Sequence, residues 1–404
     1  MKKDTRSDGQ PARKLAIILV LTAIPVLVGL GIAGILISRA LYKPVIGFLD
    51  VPESVREAIE ETTASWSASN NLRFRFTNLN AKTVDELKKQ FLETDLLVTS
   101  SGLKAASLSD LAKRPNPAIL GLMPSAMRNA GVQKERQYTF PILLDHFELA
   151  WNIQLLEKTG QPKPTTLPAM LAHGGKNANR TIWPMIAAGA DDRILLGFIG
   201  SISESIFGLD RWKAIQRQAA EKTPDNLVQS PELTEVLDNL AEWRRNKFLH
   251  PEWFRMTQQD VIQFMENDNA LFVGMFLSDH RQVPIKTIEK FESTFFPASS
   301  IQRTRSFTVP VILVMQPNKE RTQKSALDFA AYLVQDAVQS KIAGRTGLAP
   351  TNSQCEAPDK QASEVRLWGA SSANLLPSFS SALYTDPADT QKLAQLIREY
   401  LESR

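Results

Sequence analysis

Two side chains that could act as an acid and a base stand next to each other at Asp145–His146. They interrupt an apolar run rich in strand formers, from Phe140 to Trp151. Adjacent residues of a strand point to opposite faces, so the two cannot easily act on one substrate atom. A polar group inside so apolar a strand needs a bonding partner or a ligand. We therefore expect one of the two to face a ligand cleft and the other to pack or meet solvent, without catalysis.

Other patterns that are typical of metal or cofactor chemistry do not occur in the sequence. None of the four histidines, His146, His173, His250 and His280, lies four residues from another or beside an acidic cluster with metal-ligand spacing. The single cysteine, Cys355, excludes an internal disulfide and a cysteine-based zinc site. No phosphate-binding glycine loop, dinucleotide fingerprint or nucleophile elbow is present. We expect no metal, no cofactor and no enzymatic activity.

Length and charge indicate a two-lobed body behind a basic N-terminus. A chain of 404 residues is too long for one compact core. The apolar fraction of 43% and the charged fraction of 22% are those of a globular protein. Residues 1–40 hold six basic and two acidic side chains, which leaves 41 of each sign in the rest of the chain. The body is therefore neutral, and we expect no nucleic-acid partner, which would require a clustered basic face.

An uncharged apolar segment, residues 15–38, is long enough to cross a bilayer as a helix. The basic tail 1–14 precedes it, which predicts a cytoplasmic N-terminus, a single pass through the inner membrane and a body in the periplasm or outside the cell. A cleaved signal peptide is the alternative, since Ser38–Arg39–Ala40 loosely fits a cleavage site. The apolar core of a signal peptide is usually about 7–15 residues, so the length favours an uncleaved anchor.

The chain after this segment alternates between strand and helix patterns. We predict strands at 45–50, 72–76 and 95–99, the second of them half-buried, because apolar residues are continuous or alternate there. Between them, residues 53–67 and the segment after Thr83 have the spacing of amphipathic helices. This order is typical of a doubly wound α/β lobe, in which ligands bind at the carboxyl ends of the strands.

The segment that follows has an unusual order of motifs. A Phe140–Pro141 strand leads to Asp145, then to the pair Trp151–Asn152, a short helix with Leu155–Leu156 and a Pro-rich bend. This order resembles the segment that crosses between the lobes in the solute-binding proteins of ABC importers, in the branch of the maltose-binding protein. The resemblance implies a type II periplasmic-binding-protein fold, an α/β fold with two lobes, each a doubly wound sheet with flanking helices.

Later motifs follow the same order, so the resemblance spans nearly all of residues 45–404. Residues 270–275 resemble the strand of a Phe-x-x-Gly-x-x-Ala-Met block, 306–315 a returning strand and 346–350 a Gly-x-x-Pro bend. The implied organisation is a tail at 1–14, a membrane helix at 15–38, an N-terminal lobe of 44–142 with 306–340, and a C-terminal lobe of 143–305 with 345–404.

Candidate ligand-binding residues come from the resemblance and from turn-rich aromatic stretches. The resemblance places ligand contacts in the loop after the third strand, at the acidic residue of the crossing segment, after the strand 270–275 and near Leu375–Tyr384. On the residues alone, a serine loop of this kind is more often a plain turn, and the tryptophans are more often core or rim residues than ligand platforms. The candidates are Ser100, Ser101, Gly102, Asp145, His146, Trp183, Phe276, Ser278, Phe307, Trp368 and Phe379.

The function implied by the resemblance is capture of a small solute, a carbohydrate by family branch, between two lobes for an ABC permease. We expect a monomer that closes about a hinge when ligand contacts both lobes. Several positions depart from the sugar-binding pattern: Thr99, Gly102 and Leu103 stand where an aromatic, an Asp and an Arg are usual. The alternative is a degenerate scaffold that kept the fold, lost the ligand and has a structural or regulatory role in the membrane.

Overall fold

The computed structural model describes residues 43–160, 162–177, 181–299, 307–308, 311–319, 324–372 and 375–404. Residues Val45–Arg404 form one compact unit. The apolar segment 15–38, for which we expect a membrane span, lies outside the described residues. Within the described ranges, no helix combines the length and the apolar character needed to cross a bilayer.

The strands belong to two main sheets and two small ones. In chain order they are β1 (Val45–Leu49), β2 (Arg75–Asn78), β3 (Leu96–Ser100), β4 (Val132–Gln133), β5 (Arg136–Gln137), β6 (Thr139–Leu144), β7 (Phe147–Asn152), β8 (Trp183–Ala187), β9 (Ala270–Phe276), β10 (Phe291–Thr294), β11 (Phe307–Thr308), β12 (Val311–Met315), β13 (Ala349–Pro350) and β14 (Leu375–Leu376).

Helices cover both faces of the main sheets. In chain order they are α1 (Glu53–Asn70), α2 (Val84–Glu93), α3 (Leu103–Ser107), α4 (Pro117–Leu120), α5 (Ser125–Asn129), α6 (Ile153–Lys158), α7 (Leu167–Asn177), α8 (Asp192–Phe207), α9 (Leu209–Ala219), α10 (Pro224–Val228), α11 (Pro231–Arg245), α12 (Gln258–Glu266), α13 (Leu277–His280), α14 (Ile285–Ile288), α15 (Lys324–Leu333), α16 (Asp336–Thr346), α17 (Lys360–Ser371), α18 (Phe379–Ala382) and α19 (Pro387–Glu402).

The first lobe is built on a six-stranded sheet with the order β13-β6-β12-β3-β1-β2. The strands β1, β2 and β3 are parallel, as the strand–helix alternation predicts, and β12 runs antiparallel between β3 and β6. The helix α1 buries Val55, Ile59 and Trp66 on one face, as its 3.6-residue spacing predicts. The predicted alternation of strands and helices in the first lobe is confirmed.

One strand of this sheet differs from its prediction. The half-buried strand expected at 72–76 forms instead as β2, Arg75–Asn78, with all four residues exposed. The strand lies at the edge of the sheet and pairs with β1 alone, so little covers it. Leu72 and Phe74, which we expected inside the strand, precede it and pack partly against the core.

The second lobe is built on a four-stranded sheet with the order β10-β7-β9-β8. Neighbouring strands β8 and β9 are parallel, whereas β7 runs antiparallel to both of its neighbours, β9 and β10. The second sheet is therefore mixed, and the doubly wound arrangement of this lobe stays a prediction. Strands β8, β9 and β10 run in one direction and β7 runs in the other, because β7 is antiparallel to the two strands that flank it.

The chain passes from the first sheet to the second at Asp145–His146. The apolar run that we read as one interrupted strand is two strands, β6 in the first sheet and β7 in the second. The predicted lobe limits assign 345–404 to the second lobe. In the structure, Ala362 and Val365 pack in the first core, while residues from Leu376 onward pack in the second.

Candidate functional site

A cleft of about 850 Å³ lies between the two lobes. On the first-lobe side it begins at the carboxyl ends of β1 and β3 and at the start of α1. Chain connections leave β1 and β3 toward opposite sides of the sheet, which is where open α/β sheets bind ligands. On the second-lobe side the walls are the start of α8, the turn α13 and the segment 378–391. Its size is that of a small-molecule site.

The lobes touch at one edge of this cleft, where Gly102 approaches Ser381. Gly102 has φ +154°, and a Cβ placed there would lie 2.5 Å from the carbonyl oxygen of Ser381. A side chain at this position would therefore collide with the backbone of the second lobe. The contact brings the loop after β3 directly against the serine-rich turn before α19.

Asp145 lines the cleft and is bonded within the protein. Its side chain is buried, with 2% of the residue exposed. Oδ1 accepts the backbone N–H of Ser278 at 2.9 Å, and Oδ2 accepts the Ser278 hydroxyl at 2.8 Å. Burial raises the pKa of Asp145 to about 7, although the nearby Arg193 and the bonds from Ser278 act to lower it. The carboxyl group ties the crossing segment to the start of α13.

Beside Asp145, a guanidinium group is stacked on an aromatic ring. Arg193, in the first turn of α8, has its Cζ 4.4 Å from the centroid of the Phe276 ring. Its Nη2 lies 2.5 Å from Oδ1 of Asp279, a side chain that is only 2% exposed. The Arg193 side chain is 41% exposed and lines the cleft. Asp279 thus holds a partly open cation in a fixed orientation over Phe276.

The other cations of the described lining are also matched by carboxylates. Lys104 Nζ lies 2.9 Å from Asp50, and the Arg281 guanidinium spans both oxygens of Asp359 at 2.7 and 3.0 Å. Arg345 lies 3.6 Å from both Glu57 and Glu61. The charges in the walls of the cleft therefore neutralise each other in pairs.

Hydroxyl groups make up much of the remaining polar lining. They come from both lobes, including the segment between β14 and α19, and most of them also donate a hydrogen bond within the protein. These residues are Ser54, Ser100, Ser278, Thr346, Ser378, Ser380, Ser381, Tyr384 and Thr390.

Behind the cleft floor lies a second buried carboxylate, Glu148. Its Oε1 lies 2.5 Å from His280 Nδ1 and accepts the Ser293 hydroxyl at 2.8 Å. Its Oε2 accepts Nε2 of Gln361 at 2.6 Å. Because Gln361 belongs to α17, which packs on the first lobe, this network links the lobes at the crossing. Burial acts to raise the pKa of Glu148, but His280 and the hydrogen bonds bring it below its ordinary value.

The structure brings five of the predicted site residues to the cleft: Ser100, Gly102, Asp145, Phe276 and Ser278. Among the described residues, the other predicted side chains lie away from its lining. Of Phe307 only the backbone, in β11, is described. Whether these eleven residues contact a ligand stays a prediction.

The predicted residues outside the lining have packing partners. The hydroxyl of Ser101 accepts the backbone N–H of Val311 at 3.1 Å. His146 is buried, with its pKa lowered to about 4 by burial, and its ring lies 5.5 Å from that of Trp368. The ring of Trp183 lies 4.7 Å from His250, and Phe379 is 1% exposed, 5.2 Å from Trp212.

Arg193 and Asp279 are cleft residues that the sequence reasoning missed. A signal for both was present, because each stands in a polar run within a few residues of the end of a strand. Asp191–Asp192–Arg193 follows β8, and Ser278–Asp279–His280 follows β9. The two strands are parallel neighbours, so their carboxyl ends meet at one edge of the sheet. That pairing was not evident without the sheet order.

Residues 77–367 match the family of bacterial extracellular solute-binding proteins, and the chain belongs to this family. The family description places the body of the protein outside the cytoplasm. A search of curated protein sequences found no match.

Solved structures share the fold at low sequence identity. The bacterial solute receptor AcbH, described as exclusive for β-D-galactopyranose, aligns with a TM-score of 0.73 at 16% identity over 90% of this chain and 93% of its own. The raffinose-bound protein RafE aligns at 0.64 and 13%, over 88% and 99%. Maltose-bound MalE3 of T. maritima aligns at 0.62 and 14%, over 89% and 99%. The two-lobed α/β architecture is that of periplasmic binding proteins.

Proposed function

We propose that this protein captures an uncharged saccharide or polyol in the cleft between its lobes and delivers it to an ABC-type importer. The observation that carries the proposal is the chemistry of the lining. The four cations among its described residues each face a carboxylate of the protein, and the remaining polar lining is largely hydroxyl. Such a surface suits a ligand that exchanges many neutral hydrogen bonds, as a sugar does.

Ligand contacts from both lobes would favour the closed arrangement. The cleft takes residues from the first lobe, such as Ser100, and from the second, such as Ser278. A ligand that bonds to both stabilises the closed state by its difference in affinity between closed and open forms. The activity is binding rather than catalysis, in keeping with a family of binding proteins. Structural relatives described as bound to raffinose or maltose support a saccharide as the ligand.

The apolar segment 15–38 would tether the body to the outer face of the cytoplasmic membrane, next to its permease. The basic side chains before this segment favour a cytoplasmic N-terminus. Protease added to spheroplasts should then digest the body while a short fragment stays in the membrane. A body protected until lysis would contradict this orientation, and a soluble body beginning near Leu41 would show a cleaved signal.

A scaffold without a ligand is the second candidate, and one observation favours it. Asp145, the carboxylate expected to accept ligand hydroxyls, has both oxygens bonded to Ser278. Of the aromatic candidates whose side chains are described, Phe276 alone lines the cleft, and Arg193 covers its ring. A cleft that satisfies its own polar groups could persist without a ligand.

Thermal unfolding with a ligand panel separates the two candidates. The full chain would be purified in a detergent without a sugar headgroup, since such a headgroup would compete for the cleft. The panel is D-galactose, D-glucose, D-xylose, maltose, raffinose, glycerol and sorbitol. A ligand at 100 times its dissociation constant should stabilise the folded state by about 2.7 kcal/mol. If no member of the panel raises the melting temperature, the binding proposal fails and the scaffold is favoured.

A further inference from the structure

Arg193 and Asp279 form an ion pair in the cleft, and neither the sequence patterns nor the comparisons assign a role to it. Arg193 belongs to the start of α8 and Asp279 to the turn after β9, so the pair forms where two parallel strands end. In the described part of the chain, Asp279 Oδ1 is the one acceptor to which the Arg193 side chain donates a hydrogen bond. A guanidinium carries five N–H donors, so most of those of Arg193 remain for a ligand.

Contacts on both sides fix the orientation of this guanidinium. The Phe276 ring lies under it, with 4.4 Å between Cζ and the ring centroid, and Asp279 lies beside it. Phe276 is fully buried and Asp279 is 2% exposed, so neither side chain has room to move. With 41% of its side chain exposed, Arg193 presents its free edge and outer face to the cleft. A fixed donor group of this kind loses little conformational entropy when it binds.

The charge around Arg193 decides which oxygen atoms it can bind. Asp279 neutralises it directly, and the buried Asp145 lies close enough to act on its charge. A ligand carboxylate bound at Arg193 would lie near the buried carboxyl groups of Asp279 and Asp145. The cation that it meets there is already paired within the protein. A neutral hydroxyl or ring oxygen accepts the same N–H donors without that repulsion.

We infer that Arg193, held by Asp279, sets the specificity of the cleft: it donates hydrogen bonds to oxygen atoms of a neutral saccharide and excludes the corresponding acidic sugar. This inference rests on the proposed function and names its ligand class more narrowly. Asp279 is a positioning residue, and its carboxylate also cancels the charge that an acidic sugar would need.

Matched ligand pairs test the inference by isothermal titration calorimetry on the full chain in the same detergent. The pairs are D-galactose with D-galacturonate and D-glucose with D-glucuronate, which differ only at one carbon atom. The unmodified protein should bind the neutral member at least ten times more tightly than the acidic one. Equal or tighter binding of the uronate overturns the inference and the preference for uncharged ligands, while capture of a saccharide in the cleft still stands. Binding of neither member of either pair, with no ligand in the wider panel, overturns both.

The substitution Asp279→Asn should reverse the preference. It keeps the shape and an acceptor oxygen for Arg193 but leaves the guanidinium charge uncancelled. The ratio of neutral to acidic affinity should fall at least tenfold. The matched control is Glu53→Gln, which removes an acidic group from the lining of the same cleft, where the side chain is 71% exposed. If the control moves the ratio as much as Asp279→Asn does, net charge alone explains the selectivity and the inference fails.

A second variant covers the case in which Asp279→Asn does not fold. Arg193→Gln keeps a hydrogen-bond donor for Asp279 but leaves that buried carboxylate without its charge partner, so its ligand-free melting temperature should fall, and the affinity is measured below that temperature. Its affinity for the neutral sugar should fall at least tenfold. Unchanged affinity in a folded Arg193→Gln protein contradicts the role of Arg193.

Discussion

Two buried carboxylates three residues apart on the crossing segment have opposite electrostatic outcomes. Asp145, at the cleft floor, accepts two hydrogen bonds from one residue, Ser278, and burial raises its pKa to about 7. Glu148, behind the floor, faces His280 and accepts bonds from Ser293 and Gln361, and its pKa is lowered despite complete burial. Burial acts in the same direction on both groups, so the number and charge of their partners decide the result.

The two carboxylates differ in role: Glu148 links elements of the fold, whereas Asp145 changes its charge with pH. At Glu148 an ionised carboxylate is stabilised by three side chains that come from three different elements, including one that packs on the first lobe. At Asp145 burial outweighs the charge of Arg193 and the hydrogen bonds from Ser278, so the pKa is raised and the ionised form is less favoured than in water. We therefore expect substitutions at Glu148 to change the stability of the fold, and substitutions at Asp145 to change how stability depends on pH.

The largest expected effect is that of Glu148→Ala. It removes the common acceptor of the buried His280 and Ser293 and of the half-buried Gln361. Breaking a buried pair in this way costs about 3–5 kcal/mol of unfolding free energy. Urea unfolding measures it. The matched control is Glu292→Ala on the neighbouring strand β10, where the half-exposed side chain faces Lys360 at 3.6 Å and the expected loss is below about 1 kcal/mol. Equal losses of unfolding free energy in the two variants would contradict the role of Glu148 as a structural link.

An intermediate effect is expected for Asp145→Asn, and it depends on pH. Since the pKa of Asp145 is higher in the folded state, its contribution to stability is fully present below the ordinary value near 4 and is lost as the pH rises through about 7. Asn does not titrate. Between pH 5 and pH 8, the unfolding free energy of the variant should therefore rise relative to that of the unmodified protein by roughly 2–3 kcal/mol. Unfolding curves at the two pH values measure the gain, and a difference that is flat in pH would contradict the raised pKa.

The smallest effect is expected for Lys104→Met on the first-lobe wall of the cleft. Lys104 pairs with Asp50 at 2.9 Å, but the Asp50 side chain is 46% exposed. Water screens such a pair, so its loss should change the unfolding free energy by less than about 1 kcal/mol. Thermal unfolding at low and high salt measures it. A loss of unfolding free energy as large as that of Glu148→Ala would contradict the expectation that buried interactions contribute more to stability than exposed ones.

Much of the first lobe was predictable because its signals are local. The alternation of apolar strands with amphipathic helices from Val45 to Thr99 predicts β1, α1, α2 and β3. The main exception, β2, forms two to three residues later than predicted and is exposed, because its position at the sheet edge is not encoded in its own alternation. The resemblance carried by the motif order from Phe140 to Leu156 predicted the family, which the match over residues 77–367 confirms.

The candidate site was predictable only where its residues directly follow a strand. Ser100, Gly102, Phe276 and Ser278 line the cleft, and each stands at or just after the end of a buried strand. Trp183 and Trp368 were chosen for their turn-rich surroundings, yet their rings pack on His250 and on His146 with Phe295. An aromatic residue in an irregular segment packs wherever the tertiary fold offers a surface, and sequence spacing does not show where.

The sequence by itself determined the apolar N-terminal segment, the neutral body and the order of strands and helices in the first lobe. These features depend on composition and on periods of two or 3.6 residues, which are local. Only the tertiary structure decided that Asp145 bonds to Ser278, that Arg193 meets Asp279 and that Glu148 meets Gln361. Each of these pairs joins residues at least 86 positions apart, and their contact depends on which strands become neighbours in the sheet.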